Sequence, residues 1–251
     1  MIRGLEAFTN AFRECCDSYV LIGGVACTLI METLSIPFRA TKDLDIVLCI
    51  ENMNADFGNI FWEFIRNGEY AIQEIENGKK CFYRFSKPKR ESWPFQLELF
   101  SRLPDSMILT KNNNLTPIPL NDTVSSLSAI LLDEDYYSFI RQNKNIVNGL
   151  SVASAECLIV LKAKAFIDLQ NRKLMGEQQV DSRNIKKHKN DIVRLFASLP
   201  INKRVQLPEK LRLDMRIFAE RMDQEDIDVK ALNLPFSSSY FNDGIRQIFT
   251  L

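Results

Sequence analysis

Over residues 1–150, short runs of β-branched and aromatic residues alternate with segments whose apolar residues recur at helical spacing. The pattern predicts an α/β or α+β domain with a mixed sheet. "SYVLIGG" reads as a strand ending on glycines, "VACTLIMETL" as a helix and "DLDIVLCI" as a second strand. Residues 56–67, "DFGNIFWEFIRN", fit an amphipathic helix. "EYAIQEI", "KCFYRFS" and "FQLELFS" fit further strands, separated at Gly78 and by the turn region from Lys87 to Pro94. The stretch from Pro104 to Asp122 is loop-rich. After Ser125 the strand signal fades, apart from a short candidate at "NIVNGLSV", and helices take over. "SAECLIVLKAKAFIDLQNRKL" begins at a cap, Ser154, carries Glu156 in its first turn and is apolar around nearly the whole cylinder, as in a helix buried between neighbours. Residues 183–198, residues 208–221 and "FNDGIRQIF" predict three more helices. The expected organisation is a sheet domain over residues 1–150 followed by a mainly helical domain over residues 151–251.

Composition narrows the classes. In 251 residues, 46% are hydrophobic, enough for a substantial core. Lys+Arg and Asp+Glu both number 32, so a nucleic-acid or membrane-surface partner would have to be held by a local patch. The six cysteines (Cys15, Cys16, Cys27, Cys49, Cys81 and Cys157) show no CxxC spacing, which points to a reducing, cytoplasmic setting. The N-terminal segment lacks a secretory apolar region, and no window reads as a membrane span. His188 is the only histidine, so catalysis would lean on carboxylates, lysines, hydroxyls or bound metal.

Chemistry concentrates in "GGVACTLIMETLSIPFRATKDLDIV", residues 23–47. On a strand Asp43 and Asp45 point to one face, about 7 Å apart at Cα, while Leu44, Ile46 and Leu48 point to the other. Two carboxylates aimed at one spot repel unless a cation lies between them, and Mg²⁺ is the usual hard partner. Gly23 and Gly24 permit close ligand approach ahead of a helix whose first N–H groups can take phosphate oxygens. Glu98, within the apolar strand "PFQLELF" and on the same face as Gln96, supplies a third acid for a two-metal clamp or a base. Phosphate beside a metal suggests phosphoryl or nucleotidyl transfer.

The ordered set of Gly23-Gly24, a helix, "TKDLD" on a strand and an acid on a later strand resembles the polymerase-β-like nucleotidyltransferase superfamily. "FRATKDLD" resembles the Arg-x-Thr/Ser-x-Asp-Leu/Ile-Asp of AbiEii-type nucleotidyltransferases, the toxin side of type IV toxin–antitoxin and abortive-infection systems. "LIVLKAKAFIDLQNR" followed by "IKKHKNDIVRL" resembles that family's second half. The likeness covers most of residues 20–196, and the eighteen residues between Gly24 and Asp43 are more than many members have. It implies Mg²⁺-dependent transfer of a nucleoside monophosphate from an NTP to RNA, particularly tRNA, or to protein, with two Mg²⁺ ions. Asp43, Asp45 and Glu98 would hold metal, Gly23 and Gly24 would contact the triphosphate, and Arg39 and Thr41 would orient Asp43 or bind nucleotide. Lys189 and Asp191 align with the family's second-half basic and acidic pair. A cognate antitoxin is implied as partner.

Lys162 and Lys164 lie about 200° apart on a helix, so only one can face the site. Lys162 shares its face with Leu158, Phe166 and Leu169, and is expected at the triphosphate, whereas Lys164 with Asp168 reads as a solvated ion-pair face. Arg183, Lys186 and Lys187 are candidates for acceptor phosphates, and the "KPKR" of residues 87–90 reads as an exposed turn. Two rival readings stand beside the enzyme on RNA or protein. One is a small-molecule nucleotidyltransferase whose acceptor pocket would draw on "LLDEDYYSF", residues 131–139. The other is a catalytically silent nucleotide-binding protein.

Overall fold

The computed structural model describes residues 2–39, 41–52, 55–72, 82–100, 133–178 and 180–251. Pro104 to Asp122, expected as loop, lies outside them, as do Cys81 and residues 73–75 of "EYAIQEI".

The described residues form a mixed α/β structure around one sheet. Its strands are β1 (Tyr19–Ile22), β2 (Asp43–Leu48), β3 (Ala71–Ile72), β4 (Phe82–Ser86), β5 (Gln96–Phe100), β6 (Lys144–Val147) and β7 (Leu150–Ala153), in the order β3-β4-β5-β2-β1-β7-β6. β2 runs parallel to β5 and antiparallel to β1, β1 is parallel to β7, and antiparallel hairpin partners close both edges. The expected mixed sheet is therefore present.

Period-two alternation sorts the sheet into two unlike faces. On one face Leu44, Ile46, Phe85, Leu97 and Leu99 are buried. They meet an aromatic layer from α1 (Leu5–Phe12) and α3 (Ala55–Gly68): Phe8 stacks on Phe12 at 4.4 Å between ring centres, and Phe61 sits edge-on to Phe85 at 5.5 Å. Rings in these geometries add roughly 0.5–1.5 kcal/mol per pair to their area burial. On the other face the register aligns Asp43 with Gln96, and Asp45 with Ile22, Glu98 and, one strand further, Arg84. An apolar layer on one side thus fixes the polar set on the other, since a one-residue slip would exchange them.

Helix α2 (Gly23–Thr33) follows β1 without a linker, and α4 is Glu134–Gln142. Helices α5 (Ala155–Leu174), α6 (Ser182–Phe196), α7 (Glu209–Met222) and α8 (Ser238–Ile248) make up the second half. Ser154 caps α5 as expected, its side chain accepting from the Cys157 N–H, and α5 is buried around most of its circumference. α1 and α4 are amphipathic as well, burying Phe8 and Phe12 in the one and Tyr136, Tyr137, Phe139 and Ile140 in the other. "NIVNGLSV" is a full hairpin, β6–β7, turned by Asn148 and Gly149 at φ 52° and 77°, the backbone that an Asn-Gly pair favours. The sheet therefore extends to Ala153, past the expected boundary at 150, and one hydrophobic core runs from Phe8 to Phe249 through both halves.

Candidate active site

The polar face of the sheet opens into a cavity of about 460 Å³, lined by residues from both halves of the chain. Gly23 and Gly24 enter from α2, Asp43 and Asp45 from β2, Arg84 from β4, Gln96 and Glu98 from β5, Lys162 from α5, and Asn184, Lys187 and His188 from one face of α6.

The glycines and the acids are in direct contact. Gly23 has φ 68°, and a Cβ built on it would lie 1.7 Å from Asp45 Oδ2. A Cβ on Gly24 would meet Thr41 Oγ1 at 2.6 Å and the Arg39 guanidinium at 3.3 Å. Two glycines therefore let the first turn of α2 sit against the strand and against the segment leading into it. The residue before that turn, Ile22, provides no side-chain cap, so the first N–H groups of α2 have no such partner.

The acids stand in different states. Asp45 is half-buried, and burial, reinforced by Glu98 and Asp43, pushes its carboxyl up to about 7. Glu98 is already compensated: its Oε1 accepts from Arg84 Nε at 2.9 Å and from Gln96 Nε2 at 2.8 Å. Among the described residues no three Asp, Glu, His or Cys side chains gather into a metal cluster. Asp43 and Asp45 suit a divalent cation, since their mutual repulsion is what such an ion relieves. Glu98, expected as the third ligand, lines the same cavity as Asp43 and Asp45 and is paired there with Arg84.

The cationic wall is more closely paired than expected. Asp191, whose side chain is 0% exposed, receives Lys162 Nζ at 2.9 Å and Arg39 through Nε at 3.0 Å and Nη2 at 2.9 Å. Burial disfavours the Asp191 charge, but Lys162 and Arg39 outweigh it and hold its carboxyl below the ordinary range. Burial likewise works against the Lys162 ammonium, and Cys27 and Asp191 reverse that effect and raise its pKa. Arg39, Lys162 and Asp191 are thereby brought together, with Asp191 behind the cavity wall rather than on it.

Lys189 is not in the site. Its ammonium is bound by Glu225 at 2.6 Å and by the Asp226 carbonyl at 2.8 Å, so its expected nucleotide contact is corrected to a tie between α6 and the segment after α7. Thr41 packs on Gly24 but does not line the cavity. Lys164 keeps its pair with Asp168 and adds Asp214 at 3.1 Å, a half-buried link to α7 in place of a solvated face. Arg183, with its side chain 92% exposed, bonds Asp181, and Lys186 is exposed. Lys87, Lys89 and Arg90 are on an exposed turn, as expected. Tyr136 and Tyr137 are buried in α4, bonded to Asp214 and Glu51, and do not line the cavity of the acids.

Arg84, Asn184 and His188 were not singled out as site residues. Arg84 had a legible signal, a charged residue in the apolar run "CFYRFS" at a period-two position. His188 has a buried Nδ1 with no hydrogen-bond partner among the described residues, and burial, helped by Lys162, pulls its pKa down to about 3, so the ring is neutral. A larger hollow of about 790 Å³ beside α1 and α3 is lined by Arg3, Glu6, Glu63, Glu91 and Trp93, on the other side of the sheet from the acids. No helix among the described residues is long and apolar enough to cross a membrane. Comparison of the chain with protein-family models and with curated proteins finds no match.

Proposed function

We propose that the protein is a Mg²⁺-dependent nucleotidyltransferase that moves a nucleoside monophosphate from an NTP to an acceptor hydroxyl. The observation that carries this reading is the contact between Gly23 and Asp45: a helix start free of side-chain capping and a carboxylate pair meet with no side chain between them. A phosphate chain and a carboxylate-bound cation need that adjacency.

Asp43 and Asp45 would hold the divalent cation, which supplies neutralisation of charge on the triphosphate and on the departing pyrophosphate. Gly23 and Gly24 leave room for phosphate oxygens at the first N–H groups of α2. The Arg84 ion pair fixes Glu98 beside Asp45, so an acceptor proton has a carboxyl group within the same face of the sheet. Arg39 and Lys162, tied to Asp191, hold α5 and α6 over the sheet and exclude water from one side.

RNA or protein as acceptor, and a toxin role with a cognate antitoxin in the cytoplasm, rest on the resemblance of residues 39–45 and 158–196 to AbiEii-type proteins. A small-molecule acceptor is disfavoured because Tyr136 and Tyr137 belong to the core.

The test is incubation of the purified protein with Mg²⁺, each α-labelled NTP and a mixture of total RNA and cell protein, beside Asp43→Ala. Label entering RNA or protein with the wild type alone supports the reading and names the base. Undiminished transfer by Asp43→Ala would sink the acid assignment, and absence of transfer by the wild type would leave a silent nucleotide-binding protein.

A further inference from the structure

The charges around the cavity are segregated. On the sheet side Glu98 is neutralised by Arg84, which leaves Asp43 and Asp45 as the negative surplus. On the helix side the donors of Arg39 and Lys162 converge on Asp191, and Lys187 adds a further cation to that wall. Arg39 and Lys162 both point their donors at Asp191, and the Lys162 side chain is only 7% exposed. Lys187 is exposed on the cavity rim, and among the described residues no carboxylate pairs with it. It sits one helical turn from Asn184 and adjacent to His188, both on the same wall.

We infer that Lys187, rather than Lys162, is the residue that binds the β- and γ-phosphates of the substrate, while Lys162 acts as a positioning residue held by Asp191. The assignment rests on the reading of the site as a nucleotidyltransferase centre and names the group that recognises a polyphosphate within it. A polyphosphate laid between the two walls meets the cationic surplus at Lys187 and lets a cation on Asp43 and Asp45 meet its other side. An ammonium without a partner is a better ligand group than one already bonded, because no existing ion pair must be broken. The Lys187 ammonium is also disfavoured by partial desolvation at the rim and by the neighbouring Arg39 and Lys162, and an incoming polyanion offsets the repulsion from both cations. Lys162 is poorly suited to bind the polyanion, because drawing it toward a ligand would leave Asp191 with Arg39 alone in a fully buried position.

Calorimetric titration with inorganic tripolyphosphate, and with the NTP, NDP and NMP of one base in Mg²⁺, separates the two lysines. Lys187→Met should weaken tripolyphosphate and NTP binding about tenfold, equivalent to about 1.4 kcal/mol, with NMP binding unchanged. Lys187→Arg should restore most of it. Because Lys187 is exposed, both variants should melt with the wild type, and a thermal scan verifies this. Equal NTP and tripolyphosphate affinity in wild type and Lys187→Met overturns the assignment, as does failure of the wild type to bind either anion. Label transfer is read in parallel: Lys187-dependent polyphosphate binding without transfer from any NTP would retain this inference and reject the nucleotidyltransferase reading. Transfer with Lys187-independent binding would do the reverse.

Discussion

Gly23 and Asp45 compete for one volume: the position a side chain would take at residue 23 is filled by the Asp45 carboxylate, 1.7 Å from the Cβ site. The left-handed backbone at Gly23, φ 68°, adds a second penalty to any replacement. Gly23→Ala should therefore displace Asp45 or the start of α2, at a cost of at least about 1–2 kcal/mol and with loss of nucleotide transfer. Chemical denaturation and the labelled-NTP assay measure the two effects. A variant with wild-type stability and turnover would show that the glycine is incidental.

The buried pair of Lys162 and Asp191 should follow the asymmetry of desolvated charges. Asp191→Ala strands the Lys162 ammonium and should cost about 3–5 kcal/mol in urea unfolding. Adding Lys162→Met to that variant should recover part of the loss, since no unpaired buried lysine remains. If the double variant is less stable than Asp191→Ala by the full cost of the single Lys162→Met change, the two residues act independently and the pairing carries no energy.

Stability should fall with rising pH across the window set by Asp45. Its folded carboxyl is raised from an ordinary 3.8 to about 7, so between these values the native state binds the extra proton. The slope is at most about 1.4 kcal/mol per pH unit for one proton, and unfolding free energy declines as pH increases from about 4 to about 7. Asp45→Asn should flatten this part of the profile and stabilise the protein near pH 8. Mg²⁺ should raise the melting temperature of the wild type more at pH 8 than at pH 5 and should leave Asp45→Asn unmoved at both. An identical Mg²⁺ response in the variant would remove Asp45 from the cation site.

Arg84→Met should leave Glu98 without its guanidinium partner and add a net negative charge beside Asp45. The Asp45 carboxyl should then titrate at higher pH than in the wild type, followed by carboxyl carbon NMR. A midpoint that stays put or falls would show that Glu98 is screened by something other than Arg84.

The alternation in "DLDIVL" and "QLELF" was enough to place Asp43, Asp45 and Glu98 on one sheet face, because strand period and a buried opposite face leave no other register. The Ser154 cap and the helix after it were legible for a similar reason: a polar cap followed by a continuous apolar run is local information. What the chain did not disclose was pairing across distance. Lys162 looked like a free cation because its acid lies 29 residues away, and Lys189 looked free because Glu225 lies 36 residues away. The pairing of Arg84 with Glu98 was equally opaque, since it depends on β4 lying beside β5. Tyr136 and Tyr137 stand among acids in the sequence but are absorbed by the core once α4 packs.

The tie between Arg39 and Asp191 spans 152 positions of the chain. During synthesis the carboxylates at residues 43 and 45 leave the ribosome long before the residue that anchors their opposing wall. A nascent chain of 150 residues thus holds Asp43, Asp45 and Arg39 but not yet Lys162, Lys187 or the Asp191 that anchors Arg39. The cavity is therefore assembled only after α6 has joined the sheet.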